Sequence, residues 1–148
     1  MSDIKIVSNK ELSLLSQQDC VRFALFCAEQ VRDSWKGIPE CFVAIETTER
    51  WLEGKASAEE CRNTAYAATT AAVRAARATY AANAAYAAYA AYAVAYAASA
   101  ASSAAYDAVY AANAAYGNPH LIEAQWNYYE ELLYFDDIAE KLLLGGVV

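Results

Sequence analysis

A chain of 148 residues is the size of one domain, and we take residues 1–148 as one. Its net charge of −7 argues against nucleic acid and anionic membranes as partners, because both demand clustered Lys and Arg, and points instead to a basic protein. A single histidine, four cysteines with no C-x-x-C pair and no Gly-rich phosphate loop leave no zinc, redox or nucleotide motif, so no catalytic residue, metal ligand or cofactor is assigned.

Cys20 and Cys27 are seven apart, on one helix face, and all four cysteines read as reduced thiols behaving as small apolar residues. Met1-Ser-Asp-Ile-Lys-Ile has no basic segment followed by an apolar run, which makes the cytoplasm the expected location.

Ser8-Asn-Lys-Glu11 has the form of a capping box, and Ser16-Gln-Gln-Asp19 is a weaker version ahead of Val21, Ala24, Leu25 and Ala28. Helices are therefore predicted near 9–16 and 17–35. Gly37 and Pro39 then break the chain and open a helix running to Glu53, with Phe42, Ile45 and Leu52 on its buried side and a stop at Gly54. Ser57-Ala-Glu-Glu60 is a second good capping box and starts the next helix.

From Ser57 to Tyr116 there is neither glycine nor proline, and one unbroken helix would be about 90 Å long, too long for this domain. The frame of Tyr66, Val73 and Tyr80 slips before Tyr92, Tyr96, Ser99, Ser103, Tyr106, Tyr110 and Asn113, which places a break around 79–83. Ser99–Ser103 is a second candidate, but the heptad frame runs through it. Residues 80–101 carry no charge, yet alanine is only weakly apolar and Tyr, Asn and Ser recur too often for a membrane span. Gly117-Asn-Pro119 ends the block, and a last helix should run from near Pro119 to about Leu144, combining bulky residues with many acids.

The predicted fold is all-α, a multi-helix bundle with long alanine-rich central helices covered by charged N- and C-terminal ones. A domain of this size cannot hide every face of the alanine–tyrosine block. Its tyrosines are either half-buried core residues with hydroxyls at the edge, or part of a recognition surface. His120 opens a helix beside Pro119 with no nearby Ser or Cys, and reads as a surface or capping residue. Glu123, Glu130 and Asp137 share a face at spacing seven and read as a solvated acidic stripe. Enzyme activity is not predicted.

Asp19-Cys-Val-Arg-Phe-Ala-Leu-Phe-Cys-Ala-Glu-Gln-Val31, Pro39 with Ala44-Ile-Glu46, Trp51-Leu-Glu-Gly54, Ala58-Glu-Glu-Cys-Arg62 and the run Ala65–Ala76 resemble the alanine-rich, all-helical immunity proteins of bacterial polymorphic-toxin loci. The resemblance covers residues 19–80; beyond them it is carried by composition and by a terminal helix containing Trp126. It implies a small cytoplasmic protein that binds and neutralises a toxin, with a basic toxin domain suiting the negative charge. The contact surface expected for such a partner is the last helix, through Trp126, Tyr129, Glu130, Tyr134, Asp136 and Asp137. The rival reading is a structural scaffold self-associating into a homo-oligomer through Tyr92, Tyr96, Tyr106 and Tyr110; a third, a small-molecule binder, would need a deep pocket.

Overall fold

The computed structural model describes residues 5–78, 82–113 and 118–143, with side chains over 5–74, 90–113 and 118–135. Among the described residues there are eight helices and no strand: α1 (Asn9–Leu12), α2 (Gln17–Gln30), α3 (Arg32–Trp35), α4 (Pro39–Leu52), α5 (Ala58–Ala78), α6 (Ala82–Ser99), α7 (Ala104–Ala112) and α8 (Pro119–Leu143). The all-α class read from the sequence is the class of the structure.

Helix starts follow the caps. The Ser8 backbone N–H donates to the Glu11 carboxylate at 3.1 Å, the Ser16 hydroxyl accepts from the Asp19 N–H at 3.1 Å, and the Ser57 hydroxyl accepts from the Glu60 N–H at 3.0 Å. Each satisfies a backbone group that an uncapped end would leave open. Gly54 ends α4 at φ 76°, where the Gly54 N–H reaches the Trp51 carbonyl and the Lys55 N–H the Arg50 carbonyl. That pair of bonds is a Schellman motif, and its left-handed residue favours glycine.

The helix expected over 17–35 is interrupted. Val31 leaves helical geometry, with φ −114° and ψ 24°, so α3 turns Trp35 back over α2 and its indole N–H donates to the Ala28 carbonyl at 2.7 Å. Trp35 is fully buried. Phe42, expected to be buried, is 38% exposed; it lies edge-on to Trp35, and the Arg32 guanidinium covers both rings. The buried face of α4 is Cys41, Ala44, Ile45, Thr47 and Thr48, a stripe at helical spacing.

The break expected around 79–83 falls mostly on residues 79–81, which lie outside the described residues; α5 ends at Ala78 and α6 begins at Ala82. Among the described residues these two helices pack on each other more extensively than any other pair. The second candidate break is real: α6 stops at Ser99 and α7 starts at Ala104. The periodicity hides it because buried Ala100 and Ala101 continue the small-residue pattern through the turn. The Ala101 carbonyl, lost to the helix, accepts from the Gln17 side chain at 2.8 Å.

Alanine serves the centre of the fold. α6 packs against α5, α7, α2, α4 and α3, and from residue 90 to 99 every side chain is buried or half-buried. A helix crowded on all sides needs small side chains if its neighbours' axes are to come close. The buried residues join into a cluster reaching from Val7 to Leu132. α8 rests chiefly on α2, where Tyr128 stacks on Phe26 with centroids 4.4 Å apart; its bulk therefore meets an N-terminal helix more than the alanine-rich pair.

Candidate protein-interaction surface

α8 turns one face to the fold. Gln125, Tyr129 and Leu132 are buried, at spacings of four and three. The opposite face carries Glu123, Asn127, Glu130 and Tyr134 at spacings of four, three and four, with Glu131 beside them, and all are exposed. Tyr134 is 61% and Phe135 56% exposed, large values for aromatic rings, and the two meet edge-on with centroids 5.9 Å apart. Among the described residues, no cation pairs with Glu123, Glu130 or Glu131.

The six residues expected to form the contact surface divide. Glu130 and Tyr134 stand on the outer face. Tyr129 is only 4% exposed; it faces the core, where burial first, and then Glu11 and Glu130, push its phenol pKa upward. Trp126 is half-buried at the edge. Its ring lies 5.4 Å from that of Tyr129 and under the Lys5 ammonium at 5.4 Å, while its indole N–H has no hydrogen-bond partner among the described residues. Asp136 and Asp137 lie in α8, but their side chains fall outside the described residues. Phe135 was missed as a surface group, because its place seven residues after the stacked Tyr128 predicts burial. Nothing in the local pattern marks it as exposed.

The second surface anticipated, the tyrosine face, is partly turned inward. Tyr92 and Tyr96 are half-buried, whereas Tyr106 is 62% and Tyr110 37% exposed. Tyr96 on α6 stacks on Tyr110 on α7, with centroids 5.1 Å apart, and Tyr106 meets Tyr110 edge-on, also at 5.1 Å. One edge of the cluster fills the α6–α7 corner, as half-buried core tyrosines would, and the other faces outward.

The chemistry available elsewhere is limited. Among the described residues no three His, Cys, Asp or Glu side chains converge as metal ligands would. Cys20, Cys27, Cys41 and Cys61 are buried, none of them in a disulfide; burial pushes the Cys41 pKa up to about 12 and raises those of Cys27 and Cys61. Such thiols are poor nucleophiles. His120 is exposed at the start of α8. Among the described residues no helix is long and apolar enough to cross a membrane.

The profile of a family described as "Imm-5 like putative immunity protein" matches residues 10–132, from α1 through most of α8. The chain belongs to this family. The match takes in the acidic stripe as far as Glu131 and ends just before Tyr134. No curated protein and no solved structure matches. Membership agrees with the resemblance drawn from residues 19–80, extends it to the last helix, and suggests a non-catalytic protein with a protein partner.

Proposed function

We propose that this chain is a non-enzymatic immunity protein that binds a basic toxin domain in the cytoplasm and neutralises it by occluding the toxin's working surface. Family membership supplies the class of function. The observation that carries the site is the outer face of α8, where Glu130 and Glu131 stand about one turn before the exposed Tyr134 and Phe135, with Glu123 farther toward the helix start, all without a counter-charge from the described residues.

Unpaired surface carboxylates keep their field available, so they steer a cationic partner and hold it in register. The exposed rings supply area that is lost from water on contact, which is where binding energy concentrates. Trp126, half-shielded by Lys5, stands at the edge as a further anchor, and Asp136 and Asp137 continue the acidic composition along the helix. Tyr129 acts from beneath by holding α8 in place.

Calorimetric titration against candidate basic toxin domains taken from the genes that flank this one tests the reading. Binding should weaken at least tenfold between 50 and 200 mM salt, on the order expected for an interface steered by several charges. A complex whose affinity ignores salt, or the absence of any complex, would argue against it.

A further inference from the structure

We propose that Tyr106, Tyr110 and Asp107, backed by Tyr96, form a docking site for an arginine side chain presented by a basic protein partner. The site lies on α7, apart from the acidic face of α8. It depends on the protein-binding reading for the existence of a partner, while its chemistry is open to test without one.

Three rings are gathered there. Tyr96 and Tyr110 stack, Tyr106 closes edge-on against Tyr110, and the Tyr110 hydroxyl donates to the Tyr106 hydroxyl at 3.5 Å. A single exposed tyrosine is ordinary, but a fixed cluster with its outermost ring 62% exposed is a preorganised platform with electron-rich faces.

Asp107 adds a carboxylate in the same helical turn, three residues before Tyr110 and so its neighbour on the helix surface. Among the described residues its carboxylate has no ion-pair partner. Burial raises its pKa. Arg62, which reaches the α6–α7 corner, is bonded to the Ser102 hydroxyl at 3.2 Å. Elsewhere in this fold aromatic rings have cations: Lys5 lies over Trp126, and Arg32 over Trp35 and Phe42. The tyrosine cluster has the ring faces and a carboxylate, and among the described residues no cation lies over it.

Arginine fits this deficit better than lysine. Its planar guanidinium stacks on a ring while its N–H groups reach a carboxylate and phenol oxygens in the same plane; a lysine ammonium is a compact point charge that gives up more hydration. Charge complementarity with a chain of net charge −7 favours the same partner.

Tyrosine-ring NMR spectra of the full chain, titrated with N-acetyl-arginine amide and separately with its neutral analogue N-acetyl-citrulline amide, test the assignment. The arginine probe should produce saturable shifts of Tyr106 and Tyr110, and citrulline should not. Tyr106→Ala and Asp107→Asn should each weaken the arginine response about fivefold or more, since each removes one of the two attractions. Equal responses to the two probes, or an arginine response unchanged in both variants, would overturn the site. So would shifts growing with protein concentration alone, which would assign this face to a second copy of the chain. Toxin neutralisation is read in a separate assay, so loss of one result does not imply loss of the other.

Discussion

The Gln125 side chain donates to the Gln30 side-chain oxygen at 3.0 Å and to the Ala112 carbonyl at 3.2 Å. Gln30 in turn donates to the Leu121 carbonyl at 3.1 Å. Gln125 is 3% exposed and spends both amide hydrogens on these contacts, so this pair ties α8 to α2 and to the end of α7. The outer face of α8 is held in place by a polar contact beneath it.

Gln125→Ala should therefore destabilise the fold by about 1–2 kcal/mol, because the half-buried Gln30 oxygen and Ala112 carbonyl lose their donor. Urea unfolding measures the loss. Hydrogen exchange should show α8 losing protection before α5 and α6 do.

The packing around α6 predicts a size limit. Ala97 is fully buried, and Ala97→Leu should cost about 3 kcal/mol by overpacking. Ala67→Leu, on the exposed side of α5, should change stability by less than about 0.5 kcal/mol. Thermal unfolding of the two variants side by side checks the contrast.

The thiols predict an alkaline limit. A thiol whose folded pKa is raised holds its proton in the native state after the unfolded chain has released it. Its contribution is complete below the ordinary thiol value of 9.0 and is lost as pH climbs toward about 12, the value for Cys41. Stability should fall steadily above pH 9. At pH 8 the native protein should resist iodoacetamide and react at its cysteines only once unfolded, as mass spectrometry after pulse labelling would show.

Asp107 carries the same sign at the acid end. Burial raises its carboxyl pKa from 3.8, so its favourable contribution exists below that value and is lost as pH rises through the raised one. Asp107→Asn should melt higher than the parent at pH 7. The gap should close as pH falls below 3.8, and differential scanning calorimetry across that range reads it. The proposed arginine site thus trades some stability for recognition.

Local signals were the legible part of this fold. Ser57 with Glu60 and Gly37 with Pro39 mark boundaries through backbone chemistry confined to a few residues, as does Gly54. The Ser99–Ser103 break was hidden, because alanine suits a helix, a turn and a crowded interior alike, and the carbonyl of the turn is satisfied by Gln17, far away in the sequence. Trp35 was likewise read as the end of a long helix, since the bond that folds it back reaches Ala28 only after Val31 has turned.

The candidate surface was legible in its composition and less so in its orientation. Acids and aromatics alternate along the last helix, and the sequence shows the mixture directly. Which of Tyr129 and Tyr134 faces outward depends on a rotation fixed by Gln125 against Gln30 and by Tyr128 against Phe26, both contacts with α2. A buried glutamine leaves no signature in a hydrophobic pattern, so the inward face could not be chosen before its partner was known.

The most direct test of the binding account is growth rescue of cells expressing a candidate basic toxin domain, chosen by screening the genes that flank this one. The parent chain should rescue, and Glu130→Lys/Glu131→Lys should fail to rescue while remaining folded. Glu46→Lys/Glu49→Lys, an equal change of charge at exposed positions of α4, should rescue like the parent. Full rescue by the α8 variant, or equal failure of both variants, would contradict a recognition face on α8.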